Sequence, residues 1–119
     1  MSEIRVLEDL DIFQLAIQIG EDVWELTGSW NEFSRRTIGT QVVRSTDSIA
    51  ANIAEGYGRF FYKDRKLFYY YARGSVLETK TWMIKALNRN LITTEKHKIL
   101  ITLLGELHYK LNAYIKKLK

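Results

Sequence analysis

The chain contains no cysteine. That excludes a disulfide framework, a zinc–thiolate centre and a thiol nucleophile. It contains no proline, so nothing of that kind interrupts long helices. Seven glycines in 119 residues are sparse punctuation for an all-β domain, which needs frequent turns. No apolar run approaches the ~18 residues that span a bilayer. The opening segment is polar and acidic, unlike a signal or transit peptide. These absences predict a cytoplasmic protein with no membrane partner.

What is present fits one domain over residues 1–119. A chain of this size buries roughly two-thirds of its unfolded surface, enough for one core. Apolar residues make up 46% and charged residues 27%, an ordinary globular balance.

The net charge is +4, but it is divided unevenly along the chain. Residues 1–32 carry eight acids and one base, a net of −7; residues 33–119 carry seventeen bases and six acids, a net of +11. Two readings follow. The acidic start and basic remainder pair with each other inside the fold, or the basic part meets an acidic partner such as nucleic acid.

Apolar spacing predicts four helices. The first covers roughly 9–28, with Ile12, Leu15, Ala16, Ile19, Val23 and Leu26 in one stripe. The second covers roughly 35–56, capped by Ser34 and lined by Ile38, Val42, Ile49 and Ile53. Gly56 and Gly58 are expected to close it in a left-handed cap. The third covers roughly 62–89, with Phe68, Ala72, Ser75, Thr79, Trp82, Met83, Ala86 and Leu87 at helical spacing. The fourth covers roughly 94–118, capped by Thr93 or Thr94 and lined by a leucine stripe from Leu100 to Leu118. Matched lengths and short connections predict an all-α, antiparallel up-down-up-down four-helix bundle.

Catalytic signals are weak. His97 and His108 stand eleven residues apart, about 16 Å along a helix and too far to share a metal. The paired Glu-x-x-His motifs of di-iron bundles are missing. No phosphate loop or Ser–His–Asp pattern appears. No catalytic residue, metal or cofactor is expected.

The second helix carries a polar stripe: Gln41, Arg44, Ser48, Asn52 and Glu55 share one face. Beside it Ala50, Ala51 and Ala54 are small. The third helix contains Gly74-Ser75. A helical glycine costs about 1 kcal/mol relative to alanine, which predicts close packing at Gly74. An antiparallel register puts Glu78 opposite residues 41–44 and predicts an Arg44–Glu78 pair.

The string Gln41-x-x-Arg44-x-x-x-Ser48-Ile49-x-x-Asn52-Ile53-Ala54-Glu55-Gly56-x-Gly58-Arg59, then Gly74-Ser75-x-x-Glu78, closely resembles a bacterial family signature. Members are four-helix bundles encoded in intervening sequences of large-subunit (23S) ribosomal RNA genes. A related branch comprises the accessory variability determinants of diversity-generating retroelements. The opening Leu10-Asp11-Ile12-Phe13-Gln14-Leu15-Ala16 is similar too. The resemblance implies a barrel-like homopentamer. For the retroelement branch it implies binding to a reverse transcriptase and to nucleic acid. Val43 stands where the family often has an arginine, and Ala50 where it often has a proline.

Eight of fifteen aromatics fall between Tyr57 and Tyr71. Arg59, Lys63, Arg65, Lys66 and Arg73 are interleaved with them or follow closely. Such a cluster suits stacking on unpaired bases with cations on phosphates. It equally suits a subunit interface, where tyrosine and arginine are enriched. The expected function is a non-enzymatic homo-oligomeric adaptor that binds RNA or DNA, a nucleic-acid enzyme such as a reverse transcriptase, or both. A purely structural protein-interaction module is the competing expectation. The helix 4 lysines 110, 116, 117 and 119 are the next candidates for contacting nucleic acid.

Overall fold

Four main helices account for nearly all of residues 6–118, which the computed structural model describes; no strand occurs among them. Lys119 lies outside the described residues. A short 3₁₀ turn, Leu7–Asp9, leads into α1, Asp11–Gly28. The second helix, α2, is built of three consecutive pieces: Glu32–Ser34, a π-helical segment Arg35–Gly39, and Thr40–Tyr57. Next come α3, Tyr62–Asn88, and α4, Thr94–Lys117.

The start of α2 departs from the sequence expectation. Asn31, not Ser34, is the cap: its side-chain oxygen accepts from the Ser34 amide at 2.9 Å. Ser34 already has helical dihedrals and makes no side-chain cap bond. The helix therefore begins a turn earlier, and the π segment absorbs the extra backbone. Asparagine and serine are both good caps, so type alone does not choose between Asn31 and Ser34.

The glycines at the end of α2 are also used differently. No glycine among the described residues has a positive φ, so neither Gly56 nor Gly58 makes a left-handed cap. Gly56 serves close packing. A Cβ there would lie 2.9 Å from Tyr69 Cε1 and 3.2 Å from the Arg65 carbonyl oxygen. The left-handed residue is Asn90, at φ 59°. There the Leu91 amide reaches the Ala86 carbonyl and the Asn90 amide reaches Leu87, a Schellman ending for α3. At α4 the Thr93 side chain accepts from the Lys96 amide, as a cap should.

The apolar stripes meet in one core. Ile12, Ile19, Val23, Val42, Ile49, Ile53, Leu104, Leu107 and Leu111 are fully buried. On α3 the buried line runs Tyr69, Ala72, Val76, Thr79, Met83 and Ala86. Tyr69 and Val76 were not in the predicted stripe, and Phe68, Ser75 and Trp82 are only half-buried. Trp30 closes one end, its indole Nε1 donating to the Leu91 carbonyl at 2.7 Å. The main contacts run α1–α2, α2–α3, α3–α4 and α4–α1, which leaves α1 diagonal to α3. The molecule is a rod of 49 × 23 × 20 Å. No helix among the described residues is long and apolar enough to cross a membrane.

Candidate nucleic-acid interface

The motif residues divide between a buried seam and the surface. Along the α2–α3 contact, Ser45 Oγ lies 2.9 Å from Thr79 Oγ1. One turn on, Ser48 Oγ and Ser75 Oγ are hydrogen-bonded at 2.7 Å. Ser48 also donates to the Ser45 carbonyl, Thr46 to Val42 and Asn52 to Ser48. Small hydroxyl residues keep the helices close while satisfying each other's polar atoms. Gly56 extends the close approach to the end of α2. Ser48, Gly56 and Ser75 thus hold two helices together, while Asn52 bonds within α2.

Gly74 does not belong to this seam. It is exposed, and a Cβ there would meet nothing within 4 Å. Close packing at Gly74 inside the protomer is therefore ruled out. Arg44 and Glu78 do not pair either. Both are exposed, and Glu78 instead accepts from Trp82 Nε1 at 3.2 Å. The predicted register was nearly right, since Thr79 stands at Ser45. Position 78 nevertheless points off the seam, one helical step of about 100° away. Gln41 is exposed as well.

The five predicted basic residues are also divided. Arg59 pairs with Glu55 and lies 4.7 Å from the Phe68 ring centre. Arg65 donates to the Arg59 carbonyl at 2.6 Å and lies over Tyr62. These two arginines brace the α2–α3 turn beside Gly58. Around them Phe60 and Phe61 are 83% and 64% exposed, more than stacking partners inside a fold would be. Lys63 is exposed on the outer face of α3.

Lys66 and Arg73 belong to a different surface. Lys66, Arg73 and Lys80 recur every seven residues, so they form one line along α3. That line borders α4, because Arg73 donates to Asn112 Oδ1 at 2.6 Å. Arg73 also lies over the Tyr70 ring at 4.9 Å. On α4 the matching line is His108, Asn112 and Lys116. Tyr70, Arg73, Asn112, Ile115 and Lys116 line an open cavity of about 510 Å³. Neither line contains an aspartate or glutamate. Burial, then the charges of Arg73 and Lys80, hold His108 below its ordinary value; a neighbouring cation disfavours the protonated imidazole.

The other α4 lysines differ. Lys110 is held by Asp11 at 3.3 Å and by Glu106 at 3.4 Å, so it is not free for phosphate. Lys117 is exposed. Asp11–Lys110 is the only ion pair between helices among the described residues; the others are local i,i+4 pairs. Among the described residues, pairing of the acidic start with the basic remainder is therefore limited to that contact and to Glu32–Arg36, where the two stretches meet in sequence. No sequence signal marked Lys80 or His108, because heptad-spaced cations look like an ordinary solvated face until the neighbouring helix is known.

No cluster of three metal-ligating side chains occurs among the described residues.

The family model for the 23S rRNA-intervening sequence protein matches residues 8–113. No curated protein matches. Among solved structures, a protein of unknown function from the S23 ribosomal protein family of Bacteroides thetaiotaomicron superposes with a TM-score of 0.80. The match covers 89% of this chain and 99% of that one, at 21% identity. At that identity it is the fold that is shared.

Proposed function

The chain belongs to the 23S rRNA-intervening sequence protein family, and on that footing we propose that it is a non-enzymatic homo-oligomeric adaptor that binds nucleic acid along the α3–α4 cleft. The observation that carries the proposal is the cleft's charge. Lys66, Arg73 and Lys80 face His108 and Lys116 with no acid on either line. A cation stripe without carboxylates suits a phosphate backbone, whose binding releases condensed counterions. Arg73, oriented by Asn112 and Tyr70, is ready to donate to phosphate; arginine's planar fork suits that contact. Exposed Phe60 and Phe61 at one end offer surfaces on which unpaired bases stack.

The same reading takes each protomer as an antiparallel up-down-up-down bundle. Contact numbering supports it: 45 meets 79 and 48 meets 75, falling on α3 as it rises on α2. It takes the assembly as a homopentamer. Exposed apolar side chains on α1 and on α3, which lie diagonally opposite, support a ring in which unlike faces meet.

The test is a fluorescence-anisotropy titration of labelled single-stranded and duplex oligonucleotides at low salt. The wild type should bind. A Lys66→Gln, Lys80→Gln, Lys116→Gln variant of unchanged mass and helicity should bind at least tenfold more weakly, because three cation contacts are gone. Absence of binding by the wild type would return the chain to a protein-interaction module alone.

A further inference from the structure

Three features have no explanation inside one protomer. Gly74 sits mid-helix in open space, at a cost of about 1 kcal/mol against alanine. Arg44 and Glu78 are exposed and do not meet. Large apolar side chains stand in water on diagonal helices: Ile17 and Trp24 on α1, 44% and 65% exposed, and Ile84 on α3, 51% exposed. Exposed apolar side chains on opposite sides of the rod fit two complementary interaction faces, one on α1 and one on α3.

Their heights along the rod agree. A Cβ on Gly20 of α1 would approach Asp47 of α2, and Ser45 and Ser48 of α2 meet Thr79 and Ser75 of α3. Counting from these contacts, Ile17 stands level with Ala50 and therefore with Gly74. Arg44 stands within about 3 Å of the level of Glu78, two helical rises away. Ile84 stands level with Thr27, which lines a cavity of about 510 Å³ with Trp24, Gly28, Arg35 and Arg44.

Rotation about an axis parallel to the rod changes no height. In a ring of parallel rods, residues level within one protomer are therefore level between neighbours. We propose that the α1–α2 groove of one protomer receives the outer face of α3 of the next. Ile17 enters the gap left by Gly74, Ile84 fills the cavity beside Trp24, and Arg44 pairs with Glu78 of the second copy. This rests on the oligomeric reading above and names its seam. Unlike faces meeting head to tail close a ring when the rotation allows. Charge complementarity favours a second copy as occupant: the cation is on the groove and the carboxylate on the face it receives. The motif's Arg44 and Gly74, and Glu78, whose partner within the protomer is Trp82 on its own helix, then have a common use.

Light scattering coupled to size exclusion, with denaturation curves for each protein, tests the seam. The wild type should give about five times 14.0 kDa. Gly74→Leu should keep or raise helicity and denaturation midpoint at low concentration, because the position is open, yet run as a monomer. Arg44→Glu and Glu78→Arg should each weaken self-association by about tenfold or more, as like charges then face each other. The double reversal should restore the wild-type mass. A wild type that is monomeric overturns both the oligomeric reading and the seam. A wild-type oligomer that persists unchanged in Gly74→Leu and both single reversals overturns the seam and leaves the oligomer standing.

Discussion

Gly56 and Tyr69 approach so closely that a Cβ on Gly56 would lie 2.9 Å from the ring's Cε1. The ring cannot move aside freely. Tyr69 is 1% exposed, and its edge packs on Tyr114 with ring centres 5.2 Å apart. The absence of one side chain on α2 thus sets the position of the largest buried side chain on α3. Gly56→Ala is expected to destabilise the fold by about 1–3 kcal/mol, the usual cost of overpacking. Gly105 gives the control, since a Cβ there meets nothing within 4 Å. Gly105→Ala is expected to stabilise by up to about 1 kcal/mol. Denaturant midpoints at constant slope measure both.

The Ser48–Ser75 bond should behave as a coupled pair. Loss of the Ser48 hydroxyl leaves Ser75 Oγ short of this partner, whereas Ser48 without the Ser75 hydroxyl keeps the Ser45 carbonyl; a hydrogen bond is worth about 0.5–1.5 kcal/mol net. A double-mutant cycle of Ser48→Ala and Ser75→Ala should give a coupling in that range. Arg44→Met and Glu78→Gln, in dilute monomeric protein, should be additive, because those side chains do not meet within a protomer.

His108 reports on the cleft. Burial with Arg73 and Lys80 nearby lowers its pKa from the ordinary 6.5. The neutral imidazole is the form the fold prefers. Its contribution to stability is therefore present above the ordinary value and is lost as pH falls through the folded value. Proton NMR titration should show a midpoint below 6.5. Lys80→Gln should move it upward. Phosphates seated in the cleft should move it upward too, by favouring the imidazolium.

The sequence carried the fold far because the fold depends on local repetition. Ile12, Ile19, Val23, Val42, Ile49, Ile53 and the α4 leucines 100, 104, 107 and 111 are periodic, and all are buried as that period requires. On α3 the pattern was harder to read. Tyr69 lies within four consecutive aromatics, Phe68 to Tyr71, so periodicity could not say which one faces inward. The start of α2 was misread because Asn31 and Ser34 are chemically similar caps and a π segment leaves no distinct composition. The hydroxyl seam was visible as a polar stripe, but its use needed the partner helix. The cleft was half legible. Lys66 and Arg73 were singled out for their aromatic neighbours and Lys116 among the α4 lysines, whereas Lys80 and His108 join them only because α4 packs beside α3.

The most direct measurement is the salt dependence of nucleic-acid affinity. Log K should fall linearly with log salt, by about 0.9 per phosphate contact on duplex DNA or about 0.7 on single strands. Replacing Lys66, Lys80 and Lys116 by glutamine removes three cations and should reduce the slope by about 2 on single strands. Phe60→Ala with Phe61→Ala should weaken single-strand binding and leave the slope unchanged, since stacking releases no counterions. Arg59→Gln, whose guanidinium is already held by Glu55, should change the slope little. A slope that survives loss of the three lysines but collapses with Arg59→Gln would contradict the account and put the phosphates at the α2–α3 turn.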